Sequence, residues 1–455
     1  MITTTNPATG QTIAEYEELD QNGIDAKLET ATRTYGHWKT SPIEQRTAVL
    51  KKLSELYEAN QEDLAKLATT EMGKPITQAR SEVEKCASLF AYFAEHGPPM
   101  LESQFWDLSD GGKAEGRWLP QGPVLAVMPW NFPYWQVVRF LAPTILAGNV
   151  GVLKHASIVQ GVAARMEELV LEAGAPEGLF QNLCVSSDPI ADVIADTRIV
   201  AATLTGSEGA GAAVAQQAGK HLKKVVLELG GSDPFIVMPS ADMDQAVEDA
   251  VTARIQNNGQ SCICGKRTIV HADIYDDFAD RFVAALKDVK LGDPMDDDTE
   301  LGPLSSEDQR DTVLDQVAKA KEESCTLMFG GEKLDRDGAW MTAGLLTDVP
   351  IGSKTGTDEI FGPVGQLYRA KDRDDALTIA NAIPFGLGSA VWTKDDDEKA
   401  FFANGIEAGM TTFNAVNGSK IEAPFGGIKR SGHGRELAQF GLHEFMNLKT
   451  LVYPA

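Results

Sequence analysis

Val124-Leu-Ala-Val-Met-Pro-Trp-Asn-Phe-Pro133 decides how the chain is read. An apolar run stops at a Pro-Trp-Asn-Phe-Pro turn, and helix-like sequence from Trp135 to Ala147 follows. A short, continuous apolar run bounded by a turn is the pattern of a strand buried on both faces, as in a parallel sheet covered by helices. The pattern recurs downstream. Val150-Gly-Val-Leu153 ends in Lys154 and precedes a helix from Ile158 to Ala173. Leu179 to Val185 is a third strand, followed by a short helix over Ala191 to Asp196. Ile199 to Leu204 runs into Thr205-Gly-Ser-Glu-Gly-Ala-Gly211, which opens a helix to Lys220, and Val225 to Glu228 runs into Leu229-Gly-Gly231. Strands alternating with helices at this spacing predict an α/β fold with a parallel sheet. Ligands of such sheets bind beyond the carboxyl ends of the strands. Asn131, Lys154, Gly206 and Glu228 all fall at such ends.

Before this region, Asn6-Pro-Ala-Thr-Gly10 reads as a turn between short strands, and Gly23 to Gly97 reads as amphipathic scaffold helices. After it comes a second α/β unit. Phe235 to Met238 is a strand, Met243 to Asn257 a helix, and Thr268 to His271 a strand. Helices are expected over Tyr275 to Leu286, Ser306 to Glu322 and Asp374 to Ala382, with strands over Thr326 to Phe329 and Gly386 to Trp392. A Gly-rich segment, Phe425 to Gly434, precedes a terminal strand over Leu448 to Tyr453. An unpaired edge strand is an aggregation liability, so this one points to a homo-oligomer.

The chain has 455 residues, 43% of them hydrophobic, enough for two or three packed domains. A net charge of −25 disfavours nucleic acid, whose phosphates need clustered Lys and Arg. So acidic a surface is expected to gain from screening in concentrated salt. Five sparse cysteines fit a reducing compartment better than a disulfide framework. The first residues show no secretory pattern and no window is apolar enough to span a membrane, so a cytoplasmic location is expected.

Several residues carry chemistry. Cys262, in Gly259-Gln-Ser-Cys262 between a helix and a strand, is placed to be a nucleophile, although a free cysteine is often only a small buried hydrophobe. Cys264 follows two residues later and is either a packed thiol or a redox partner of Cys262. A metal site at this pair lacks a second ligand motif. Glu228 ends an apolar strand, where desolvation raises a carboxyl toward the pKa of a useful base; a buried ion pair is its bland alternative. Asn131 offers an amide to an oxyanion or, alternatively, caps the next helix. Lys154 is the charge at the end of a buried strand, awaiting a ribose or phosphate or else reaching solvent. Gly206 and Ser207 open a helix whose N-terminus attracts phosphate.

Pro129-Trp-Asn-Phe-Pro133, Lys154, Gly206-Ser207, Leu227-Glu-Leu-Gly-Gly231, Gly259-Gln-Ser-Cys262, Glu359-Ile-Phe-Gly-Pro363 and Pro424-Phe-Gly-Gly427 occur in that order. Together they resemble the aldehyde dehydrogenase superfamily along nearly the whole chain, most closely its shorter succinate-semialdehyde dehydrogenases. The resemblance implies a Rossmann-like cofactor domain over residues 1–101 and 121–228, a catalytic domain over 229–440, and a small oligomerisation sheet from 102–120 and 446–455, in a homodimer or homotetramer. It also implies roles. Cys262 attacks the aldehyde carbon; Asn131 and the Cys262 N–H hold the oxyanion; hydride leaves for the nicotinamide. Glu228, supported through water by Glu436, activates the water that hydrolyses the thioester. Lys154 and Glu359 bind cofactor riboses, Gly206 and Ser207 the pyrophosphate, and Trp130 and Phe361 pack nearby.

Ser157 stands where NAD-preferring relatives often carry a carboxylate, which would repel a 2′-phosphate; with positive character from Lys154 and His155, NADP is expected at least as readily as NAD. For the substrate, Arg139 and Ser419 match carboxylate-binding positions, with Trp135 lining the tunnel. A second arginine expected six residues before Cys262 is replaced by Gln256, and Arg254 or Lys420 is the candidate substitute. Succinic semialdehyde is therefore the first expectation, and small neutral aldehydes the alternative. A cofactor-independent cysteine hydrolase would need a histidine beside the thiol, and none of the seven histidines shows that signature.

Overall fold

Apolar strands and amphipathic helices alternate because each buried strand must be covered on both faces. The computed structural model describes residues 1–455. A six-stranded sheet runs in the order Gly432–His433, Lys224–Glu228, Ala201–Thr205, Pro123–Met128, Val150–His155 and Phe180–Asn182. All neighbours are parallel except the first pair. The chain winds one way from the central strand Pro123–Met128 and then returns to its other side at Ala201–Thr205, leaving a crevice at their carboxyl ends. The helices before Gly97 pack on this sheet, and one core of 68 buried residues joins them.

The second sheet has seven strands: Thr326–Gly330, Gly344–Thr347, Val364–Ala370, Gly265–His271, Asp233–Val237, Ala390–Trp392 and Thr412–Phe413. Two further cores, of 21 and 16 residues, lie against it. A third sheet pairs Gln104–Asp107, Lys113–Pro120 and Met446–Tyr453, with the terminal strand at one edge. No helix is long and apolar enough to cross a membrane.

Two expectations need correction. The strand expected over Gly386 to Trp392 is split into Phe385–Gly386 and Ala390–Trp392. The backbone leaves the ladder because Gly388 N–H is drawn to Asp233 Oδ1 at 3.0 Å, and a Cβ on Gly388 would meet Asn417 at 2.1 Å. The Gly-rich segment also recrosses to the first sheet: Gly432–His433 pairs with Leu227 and Glu228, and Phe425, Leu437 and Leu442 join the first core. The chain after about residue 425 thus packs with the unit that the sequence division placed before Leu229.

Candidate active site

Cys262 sits on a tight turn made by three successive left-handed residues, Asn257 (φ 54°), Asn258 (φ 58°) and Gly259 (φ 73°), after the helix Met243–Ile255. Asparagine and glycine tolerate this conformation best. Gly259 is further constrained, since a Cβ there would lie 2.4 Å from the Gly362 backbone. Each asparagine anchors the turn. Asn257 Nδ2 donates to the Asn131 carbonyl at 2.7 Å, and Asn258 Nδ2 to the carbonyls of Gly73 and Pro303 at 2.8 and 2.7 Å. Asn131 Nδ2 donates to the Gln260 carbonyl at 3.0 Å. An amide carries two N–H groups, so the second remains free beside the thiol turn. The helix Trp135–Ala147 is capped by Glu82, which accepts from the N–H groups of Tyr134 and Trp135 at 2.8 and 2.9 Å, so Asn131 is not its cap.

Cys262 is partly exposed in a cavity of about 690 Å³. Burial pushes its thiol up to about 12, against the opposing pull of Lys266 and Arg139. Lys266 is a site residue that the sequence reading missed. Its buried ammonium donates to the carbonyls of Ser261 and Cys262 at 2.7 and 2.8 Å and lies 2.9 Å from Glu359 Oε1. Glu359, expected to meet a ribose, therefore already has a cationic partner. Glu228 is 2% exposed and its carboxyl has no hydrogen-bond partner. Burial, then repulsion from Glu436, raises its pKa well above the ordinary value. Glu436 itself pairs with Arg139, at 2.8 Å.

Arg139 was expected to meet a distal carboxylate. It does line the cavity; its Nε lies 2.8 Å from Glu436 Oε2, its buried Nη2 has no partner, and its guanidinium lies 4.5 Å from the Phe425 ring centre. Arg254 does not compensate: it is fully buried and tied to the carbonyls of Gly259 and Gly362, each at 2.7 Å. Lys420 is exposed and not on the cavity wall. Gln256, Ser419 and Trp135 are on it. So are Gln78, Glu82 and Lys85, from the helix Ile76–His96 that the sequence reading treated as scaffold alone. The signal was available: positions 78, 82 and 85 lie on one helical face and are all polar. Lys85 Nζ donates to the Ser419 carbonyl at 2.7 Å and to its Oγ at 2.9 Å, 4.4 Å over the Trp135 ring. Cys264 is fully buried, with its thiol donating to the Gln256 carbonyl at 3.6 Å; all five cysteines are free.

At the strand ends, Lys154 is 7% exposed and has no ion-pair or hydrogen-bond partner, and burial lowers its pKa. Ser207 caps the helix Glu208–Lys220, and a Cβ on Gly206 would meet only Leu204, at 3.6 Å. Trp130 and Phe361 meet edge to face at 5.7 Å, one from each sheet's loops. An unpartnered ammonium, an open helix N-terminus and an aromatic pair suit a dinucleotide. Ser157 is half-buried in a one-turn helix after Lys154. His155 contributes no positive charge, contrary to expectation. Ala156 N–H donates to its Nδ1 and its Nε2 donates to the Pro133 carbonyl, both at 2.9 Å, and burial lowers its pKa to about 4.

A thiol, a desolvated carboxyl, an amide donor and a dinucleotide cleft define a cofactor-dependent dehydrogenase with a cysteine nucleophile. The chain belongs to the aldehyde dehydrogenase family, whose model matches residues 1–451. It is 47% identical to the NADP(+) succinate-semialdehyde dehydrogenase 1 of Mycobacterium tuberculosis H37Rv over 99% of both chains. The corresponding Mycobacterium leprae enzyme is 46% identical, again over 99% of both. Among solved structures, the succinic semialdehyde dehydrogenase of Streptococcus pyogenes with NADP+ superposes with a TM-score of 0.98 at 38% identity over 100% of both chains. An NAD-dependent aldehyde dehydrogenase of Sinorhizobium meliloti gives a TM-score of 0.97 at 31% identity, covering 100% of this chain and 91% of its own. The chain is an NAD(P)-dependent aldehyde dehydrogenase.

Proposed function

We propose that this enzyme oxidises succinic semialdehyde to succinate, with NADP as its preferred cofactor. The observation that carries this reading is one cavity lined both by the Cys262 thiol and by Lys85 and Ser419, a cation and a hydroxyl suited to a distal carboxylate. The mycobacterial and streptococcal relatives support it, since their names carry that substrate and NADP. Ser157 supports NADP because it puts no negative charge near a 2′-phosphate.

Cys262 gives up its thiol proton to solvent and adds as the thiolate to the aldehyde carbon, and the free Asn131 N–H steadies the oxygen that becomes negative. NADP, when bound, supplies the acceptor for the hydride that leaves that carbon. The acyl group then remains on sulfur as a thioester. Glu228 takes a proton from water, the hydroxide displaces the thiolate, and succinate leaves. The aromatic pair Trp130 and Phe361, with Lys154, Gly206, Ser207 and Glu359, would hold the cofactor.

The same reading assigns residues 1–101 and 121–228, with the segment after about 425 that packs on them, to cofactor binding, 229 to about 424 to catalysis, and the sheet of 102–120 and 446–455 to a homodimer or homotetramer. Exposed Phe105, Trp106, Leu448, Val452 and Tyr453 on that sheet support a partner copy. The free cysteines suit a reducing, cytoplasmic setting.

Initial rates with NADP and NAD across succinic semialdehyde, glutaric semialdehyde and neutral aldehydes test this reading. The highest kcat/KM is expected for succinic semialdehyde with NADP. A best rate with neutral aldehydes would replace it with a broad-specificity enzyme.

A further inference from the structure

Charge pairing around the aldehyde cavity singles out one cation. Glu82 is paired with Lys74, Arg139 with Glu436, Asp297 with Arg80 and Asp298 with Lys290, while the carboxylate of Glu300 accepts only the Lys290 N–H, at 2.8 Å. Lys85 is the cation on that wall with no carboxylate partner. It is held nonetheless, by Ser419 and over the face of Trp135, so its position is set before any ligand arrives. Burial, then repulsion from Arg139, lowers its pKa to about 8, the state of a cation that lacks a counter-charge. Two donors face the same cavity. Ser419 Oγ accepts from Lys85, which leaves its own proton to give away. Gln256 has a buried Nε2 with no partner.

We infer that Lys85, with Ser419 and Gln256, binds the distal carboxylate of the substrate and is the main determinant of specificity for carboxylate-bearing aldehydes. The inference rests on the proposed succinic semialdehyde substrate. A carboxylate placed there completes the ion pair that Lys85 lacks, accepts the Ser419 proton and satisfies the Gln256 amide. Arg139 keeps its Nε on Glu436, and Lys85, on a helix outside the thiol turn, supplies the charge that Gln256 does not.

The test compares wild type, Lys85→Met and Lys85→Arg on succinic semialdehyde and on butanal, which has the same carbon chain without the carboxylate, at saturating NADP. The readout is the ratio of the two kcat/KM values within each preparation, so a partly unfolded sample does not distort it. Lys85→Met is expected to cut the ratio roughly tenfold to a hundredfold, mainly through KM for succinic semialdehyde, and Lys85→Arg to restore most of it. Inhibition of butanal oxidation by succinate should weaken in parallel. A Lys85→Met ratio within about twofold of wild type overturns the role of Lys85 while leaving the proposed substrate standing. A wild type that does not prefer succinic semialdehyde overturns both.

Discussion

Arg139 Nε lies 2.8 Å from Glu436 Oε2, and both side chains are almost wholly buried. Removing one member of such a pair strands the other charge in a low-dielectric site. Glu436→Ala is expected to lower stability by about 3–5 kcal/mol, whereas Arg139→Met combined with Glu436→Met should cost clearly less. Urea denaturation of wild type, Glu436→Ala and the double variant checks this. A double variant as unstable as Glu436→Ala would show that a stranded charge is not the source of the loss.

The pH dependence of the rate follows from two groups. Burial pushes the Cys262 thiol up to about 12 and raises Glu228 well above the ordinary carboxyl range. Both groups hold their proton more tightly than usual, and both act in the deprotonated form. With butanal, whose binding does not use Lys85, kcat/KM is therefore expected to rise from neutral into alkaline pH, whereas with succinic semialdehyde it stops rising above about 8 as Lys85 loses its charge. A rate that instead peaks below neutrality would contradict these environments.

Ser157 tests the cofactor cleft. Ser157→Glu brings a carboxylate to the one-turn helix after Lys154 and repels a 2′-phosphate. kcat/KM with NADP is expected to fall by at least about tenfold while that with NAD holds or rises. Equal changes for both cofactors would remove Ser157 from 2′-phosphate recognition.

How much of this could be read from the sequence depends on the kind of signal. Asn131, Lys154 and Glu228 were legible because a buried strand is continuously apolar, so a polar residue at its end stands out, and Gly206 because it joins such a strand to a helix. The Cys262 turn was legible only in part: the helix before it was expected to reach Asn257, but it ends at Ile255, and Asn257 and Asn258 turn left-handed. Lys85 was passed over because helix periodicity separates buried from unburied faces. It does not say whether the polar face meets water or another part of the chain. The pairings were equally hidden: Arg139 finds Glu436, and Lys266 finds Glu359, across long sequence separations. His155 looked like added charge beside Lys154, yet its ring is turned inward onto the Pro133 carbonyl. The Gly386–Trp392 break came from Asp233, far away in sequence, which captures the Gly388 N–H.

Cys264 is expected not to act as a redox partner. Its thiol is fully buried and directed at the Gln256 carbonyl, so bonding to Cys262 requires the turn to rearrange. Peroxide should inactivate Cys264→Ala as fast as the wild type. Inactivation that dithiothreitol reverses only when Cys264 is present would establish the switch.

The central claim is a thioester on Cys262 whose hydrolysis needs Glu228. Glu228→Gln mixed with succinic semialdehyde and NADP, quenched and analysed by peptide mass, tests it most directly. The expected result is a burst of NADPH close to one per active site, then a stall, with a succinyl group on the peptide carrying Cys262. Sustained turnover at the wild-type rate, with Cys262 unmodified throughout, would contradict it.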